Sequence, residues 1–113
     1  MEIKQSSIVN GKGLFVKTAH KRGDIVYSLE GTIDKKPTRE SIYIGNNEHI
    51  YDEYGIFMNH SFSPNTEISG INIIALEDIA PGDEITFDYN SNEINMAAPF
   101  RLNGVKVSGK SIN

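Results

Sequence analysis

The side chains with chemical potential gather in two stretches. The first is Asn59-His60-Ser61-Phe62-Ser63-Pro64-Asn65, and the second, about twenty residues on, is Gly82-Asp83-Glu84-Ile85-Thr86-Phe87-Asp88-Tyr89. Asn and Ser bond their own backbone and Pro presets φ, so the first stretch suits a turn. The apolar run Tyr54-Gly55-Ile56-Phe57-Met58 leads straight into it. A polar, proline-punctuated segment on a packed support is what a binding site requires, because hydrogen-bonding groups must be held in fixed directions. The chemistry open to these residues is therefore recognition and orientation. His60 has no second His and no Cys at ligand spacing, which argues against a metal. Tyr89 carries a phenol of reference pKa about 10, a poor base at neutral pH. On their own, Tyr89 reads as an interfacial core residue closing a strand and His60 as a satisfied loop histidine.

The elements that must position them are short. Ile3 to Val9 alternates loosely and predicts a first strand, Asn10-Gly11-Lys12-Gly13 a turn, and Leu14-Phe15-Val16 a buried continuation. The glycine pair lets backbone groups approach a ligand with no Cβ in the way, although Asn-Gly followed by Lys-Gly serves a plain hairpin equally well. After a turn at Lys21-Arg22-Gly23-Asp24, Ile25 to Leu29 is strand-like, with Gly31-Thr32-Ile33 pairing after it. Thr38 to Asn47 is polar around a short Ser41-Ile42-Tyr43-Ile44 strand. Tyr54 to Met58 forms a single helical turn or tight loop that delivers Asn59. Thr66–Ser69 and Ile71–Leu76 are strands about Gly70, and Glu84–Phe87 alternates as a strand after the turn at Asp78 to Asp83. Asn90 to Asn95 is a polar linker, and Phe100 to Val107 carries Asn103-Gly104, a hairpin signal. No long helix and no repeat is predicted. His20 and His49, without visible partners, read as surface residues.

With 113 residues and no break in composition, 1–113 reads as one domain with a core over 8–89 and a C-terminal extension over 90–113. Hydrophobic residues at 38% and charged residues at 23% exclude a disordered chain. No run approaches the ~18 apolar residues of a membrane span, and Met1 to Lys4 shows no leader pattern, so a soluble, intracellular protein without membrane partners is the expectation. The absence of cysteine rules out disulfides and thiolate zinc sites. A net charge of −4 argues against a nucleic-acid surface and suits a basic peptide partner, or simply solubility.

The two stretches resemble the signature motifs of the SET-domain protein-lysine methyltransferases, N-H-S-x-x-P-N and G-E-E-[LI]-x-[FY]-x-Y. Asn10-Gly11-Lys12-Gly13-Leu14-Phe15 is similar to that family's G-x-G start, and Lys21-Arg22-Gly23-Asp24 to its K-G-[ED] turn. The resemblance implies a mostly β, β-clip-like SET fold of several small sheets with a C-terminal pseudoknot, in which Pro64 and Asn65 are architectural. It implies S-adenosyl-L-methionine as cofactor, held by Lys12, Gly13, Leu14, Tyr43, Asn59 and His60. Tyr89 matches the catalytic tyrosine, and Tyr43, Phe87 and Tyr89 the lining of the substrate-lysine channel; no metal is implied. The substrate would be a basic, histone-like protein or peptide.

The chain departs from the family at Ile56-Phe57-Met58, where many members carry an arginine, and at Phe62, where a small residue is common. It also lacks the cysteine-zinc modules that close the channel in larger members. The 90–113 extension, covering the cofactor with Met96 or Phe100, is one substitute, and a homodimer is another; a frayed tail is the alternative reading of the extension. A Phe at position 87 leaves room for more than one methyl. The competing function is a peptide-binding or regulatory module that keeps the fold without turnover.

Overall fold

The computed structural model describes residues 1–38, 40–94 and 96–110. Short strands dominate it, as the alternation predicts: β1 (Glu2–Gln5), β2 (Lys12–Phe15), β3 (Ile25–Ser28), β4 (Thr32–Asp34), β5 (Ile42–Gly45), β6 (Glu48–Tyr51), β7 (Asn59–His60), β8 (Thr66–Ser69), β9 (Asn72–Ala75), β10 (Glu84–Phe87), β11 (Phe100–Leu102) and β12 (Val105–Val107). A 3-10 turn (Gly55–Phe57) precedes β7, and a single α-turn, α1 (Tyr89–Asn92), follows β10. The strands pair as four small sheets in the orders β1-β2-β10-β7, β3-β9-β8, β4-β6-β5 and β11-β12. No helix among the described residues is long and apolar enough to cross a membrane.

β10 is the strand on which the two chemical stretches converge. It runs antiparallel to β2, with Ile85 opposite Leu14, and parallel to β7, with Thr86 opposite Asn59 and Phe87 opposite His60. A parallel pair needs a crossover, and here the β8–β9 hairpin lies within it. The connection is pinned by Asn65, whose Nδ2 donates to the Glu84 carbonyl at 2.9 Å while its Oδ1 accepts from the Thr86 amide at 3.0 Å. One side chain thus stands in for a length of partner strand. Thr66 adds a bond from its hydroxyl to the Thr86 carbonyl at 2.7 Å. Ile85, Thr86 and Phe87 are all buried, as expected of a strand covered on both faces.

The core is common to three sheets. Leu14 and Ile85 come from the first, Ile73 and Ala75 from the second, Ile42 and Ile50 from the third, and Met58 and Phe87 complete it. Each fully buried aliphatic or aromatic side chain contributes about 1.5–3 kcal/mol, so strands of three or four residues are held mainly by their inward side chains.

Three local expectations are corrected. The first strand ends at Gln5 instead of reaching Val9, because the Ser6 hydroxyl accepts from the amides of Ile8 and Val9 at 3.1 and 3.2 Å and turns the chain. The segment after β5 does not stay polar loop: Asn46 and Asn47 take positive φ of 54° and 58° and fold β6 back onto β5. Two left-handed residues in succession make the turn that suits a strand hairpin. His49 on β6 is therefore not a surface residue. It is 2% exposed, its ring lies 5.1 Å from that of Tyr43, and burial lowers its pKa.

Candidate functional site

Tyr89 begins the chain's turn out of β10. Asp88 caps α1, its carboxylate accepting from the Asn90 amide at 2.9 Å. The Tyr89 amide donates to His60 Nδ1 at 3.0 Å, and its hydroxyl donates to the Met58 carbonyl at 2.5 Å. The residue is fixed at both ends by the Met58–His60 segment, the apolar approach and polar turn of the sequence. Burial first, and the negative charge of Glu93 second, push its pKa up, so it remains a phenol at neutral pH.

His60 is buried, and burial holds its pKa below the ordinary value against the opposing pull of Asp88. Because Nδ1 accepts from the Tyr89 amide, the bonding assigns the proton to Nε2. Asp88 Oδ1 stands 3.7 Å from Nδ1, but the accepting nitrogen offers it no proton. Nε2 is buried and has no partner. Rings surround the imidazole, with centroids at 4.3 Å for Phe62, 5.1 Å for Tyr89 and 6.2 Å for Phe100. An unpaired buried donor costs roughly 1–3 kcal/mol, and His60 carries that cost inside a ring of aromatic side chains.

Asn59 connects this niche to the glycine turn. Its Nδ2 donates to the Lys12 carbonyl and to Glu84 Oε2, both at 2.9 Å. Glu84 also accepts from the Ser6 hydroxyl at 2.8 Å and the Ser7 amide at 3.3 Å. Gly13 passes so close that a Cβ there would lie 2.3 Å from Glu84 Oε2 and 3.2 Å from Asn59 Nδ2. A side chain here would push the Glu84 carboxylate off its bonds to Ser6 and Asn59. The Lys12 side chain is exposed, and Leu14 is buried in β2 between Ile3 and Ile85.

On the other side of Tyr89 lies a cavity of roughly 40 Å³, lined by Ile42, Met58, Phe87, Tyr89, Glu93 and Met96 among others. The Phe87 ring packs 4.8 Å from that of Tyr89. Ile42 is the β5 residue that reaches this cavity; the Tyr43 ring instead packs at a tilt against His49 and lines a separate pocket with Ile68 and Lys110. The structure thus brings Gly13, Asn59, His60, Phe87 and Tyr89 together and sets the Tyr43 ring apart from them.

The segment after Tyr89 closes the site. Asn90 clips the tail in place: its Nδ2 donates to the Lys106 carbonyl at 3.0 Å and its Oδ1 accepts from the Ser108 and Gly109 amides at 3.1 Å. Val107 is fully buried, Phe100 stands beside His60, and Met96 reaches the cavity. Glu93, which the sequence offered only as part of a polar linker, is also buried. Its carboxylate accepts from the Tyr43 amide at 3.0 Å and from Asn92 Nδ2 at 2.8 Å, and burial outweighs these bonds to push its pKa up to about 7. No signal in the sequence separates Glu93 from the surrounding polar residues. Among the described residues no cluster of His, Asp or Glu is arranged to hold a metal.

The SET-domain family model matches residues 11–90, which contain the glycine turn, the Asn59–Asn65 stretch and Tyr89. The chain belongs to the SET-domain family. Among solved structures, this SET domain superposes on a candidate histone methyltransferase of Plasmodium falciparum with a TM-score of 0.63 and 24% identity, over 80% of this chain and 96% of that one. A chain of ctPRC2, solved in complex with H3K27me3 and H3K27M, gives a TM-score of 0.69 and 18% identity, over 96% of this chain and 16% of that one. At these identities the likeness establishes the SET fold. No curated protein matches the chain.

Proposed function

We propose that this SET domain transfers a methyl group from S-adenosyl-L-methionine to the ε-amine of a lysine in a basic protein or peptide. The observation that carries the reading is Tyr89: its phenol is fixed on the Met58 carbonyl at the junction between a narrow cavity, which Ile42, Met58 and Phe87 help to line, and an aromatic niche with an unpaired imidazole N–H. The niche residues suit the cofactor. The His60 Nε2 proton is a donor awaiting an acceptor, Phe62 and Phe100 offer faces and edges to a flat heterocycle, and Asn59, Lys12 and Gly13 form the neighbouring wall. Bound there, the cofactor would supply an electrophilic methyl on a sulfonium.

The chain's own residues supply orientation and desolvation. A lysine pKa of about 10.4 means that holding the amine neutral at pH 7 costs about 4.6 kcal/mol. Ile42, Met58 and Phe87 give the amine an apolar surrounding, and desolvation disfavours the ammonium. Tyr89 commits its proton to Met58, so its oxygen lone pairs remain to accept from the amine and aim the nitrogen. Alignment of that kind removes much of the entropic barrier. Phe87 carries no hydroxyl to hold a crowding water, which favours products beyond monomethyl-lysine; product masses that stop at one methyl with excess cofactor would count against this. The acidity of the chain matches a basic substrate.

The test is calorimetric titration with S-adenosyl-L-methionine of the wild type and of Asn59→Ala, followed by labelled-methyl transfer to basic peptides with Tyr89→Phe as control. One-site binding weakened by Asn59→Ala, and transfer lowered at least about 10²-fold by Tyr89→Phe with the cofactor still bound, is the expected result. Folded protein that binds no cofactor would overturn the reading. Binding without transfer to any basic peptide would leave a non-catalytic module.

A further inference from the structure

Glu93 plays no part in the scheme above, yet it is a buried carboxyl on the wall of the cavity that also holds Tyr89. Its position is not accidental to the backbone. The Glu93 amide donates to the Tyr89 carbonyl at 2.7 Å, closing α1, and its own carbonyl accepts from the Lys110 amide. The carboxylate is further steadied by the Tyr43 amide and Asn92, which leave it an acid with remaining lone pairs and no cationic partner. The other titratable groups on the cavity wall are Tyr89 and the exposed Glu40; no Lys, Arg or His lines it among the described residues. The rest of the wall mixes the apolar side chains of Ile42, Ile56, Met58 and Phe87 with the polar Thr38 and Ser41.

A water-sized group needs about 10–15 Å³, so a cavity of roughly 40 Å³ takes the end of an unbranched chain and no ring. A buried acidic residue in a slot of that size, with Ile42, Met58 and Phe87 alongside to pack methylenes, is complementary to a primary ammonium on a methylene chain. We propose that Glu93 receives the substrate lysine as its ammonium and takes its proton, delivering the neutral amine to Tyr89. This rests on the methyl-transfer reading and assigns it a proton acceptor. The N–H bond breaks and an O–H bond forms on Glu93, leaving the lone pair on nitrogen. That pair then makes the C–N bond as the methyl–sulfur bond breaks, its electrons staying on sulfur. The product is an N-methylammonium, and the proton on Glu93 returns to solvent on release. Burial that pushes the carboxyl up to about 7 suits a group which must both accept and surrender a proton near neutrality.

Glu93→Gln keeps the shape and an acceptor for the Tyr43 amide while removing the base. The expected result is cofactor affinity like that of the wild type, a kcat at pH 7 lowered about 10²-fold, and recovery of about tenfold per pH unit toward alkaline pH, where the amine deprotonates unaided. A variant with the wild-type rate and pH profile would overturn the proposal. A second measurement does not depend on methyl transfer: the ionisation of Glu93 followed by carbon NMR of glutamate-labelled protein, with butylammonium or butanol added. Butylammonium lowers the Glu93 midpoint and butanol does not, if the slot receives an ammonium. Equal effects of the two probes would refute it, even for an enzyme that transfers methyl groups normally.

Discussion

The Asn65 side chain bonds two backbone groups of the strand that carries Phe87 and leads into Tyr89, which makes Asn65→Ala the sharpest test of how the site is held. The substitution leaves the Thr86 amide and the Glu84 carbonyl without their partner. Thr86 is 7% exposed, so water reaches its amide poorly, whereas Glu84 is half-buried and its carbonyl is partly rescued by solvent. An unsatisfied buried group costs about 1–3 kcal/mol, and the unequal pair gives an expected loss of about 3 kcal/mol. That is a large share of the roughly 5–15 kcal/mol by which a domain is stable. With a urea slope of about 1.5 kcal/mol per molar for a chain of this size, the midpoint falls by about 2 M. Urea unfolding measures it, with exposed Ser63→Ala as the control expected to stay within about 0.5 kcal/mol. Hydrogen exchange locates it, because the Thr86 amide must lose protection. A loss below about 0.5 kcal/mol, or a larger loss with the Thr86 amide still protected, would refute the account of Asn65 as a substitute strand.

Two further outcomes follow from the same geometry. Gly13→Ala forces the Glu84 carboxylate away from Ser6 and Asn59, with an expected loss of about 1–3 kcal/mol in urea unfolding and weaker cofactor binding by calorimetry; unchanged binding would show that this wall does not touch the ligand. The pH profile contains opposed contributions. Burial depresses His49 and His60, so their share of stability is complete above about 6.5 and is lost as pH falls through their folded values. Glu93 is raised from 4.5 to about 7, so its share is complete below 4.5 and is lost as pH rises to about 7, on the order of 3 kcal/mol. Glu93→Gln removes the second trend, leaving urea midpoints that fall more steeply toward acid; a variant profile parallel to the wild type from pH 4.5 to 8 would contradict it.

Much of this was legible because it rests on local chemistry. The alternation of Glu84 to Phe87 encodes a strand, Asn103-Gly104 encodes a hairpin, and the order of the polar turn and the acidic strand encodes the fold family. What was not legible depends on partners distant in sequence or on turns made without their usual residues. Ser6 interrupts its strand because its hydroxyl turns back on Ile8 and Val9 and meets Glu84. β6 was hidden because Asn46-Asn47 lacks the glycine that usually announces such a turn. His49 is buried only because that hairpin forms, and the hairpin also turns Tyr43 away from the cavity its neighbour Ile42 lines. Glu93 acquires its environment only when α1 and the Lys110 backbone close around it; as a letter among Asn and Ser it resembles any solvated acid.

The clip made by Asn90 has a mechanical consequence. The residue that fastens the tail is the immediate neighbour of Tyr89, so the latch and the Tyr89 phenol are joined through one peptide unit. Lifting the tail strains α1, and any slackening of α1 reaches Tyr89 before it reaches the sheets. A chain without cysteine has no disulfide to fasten this cover; among the described residues packing and hydrogen bonds hold it, and these answer to temperature and denaturant. The cover and the Tyr89 phenol are thus coupled through Asn90, so loss of protection at the Ser108 and Gly109 amides is expected to accompany loss of order at Tyr89.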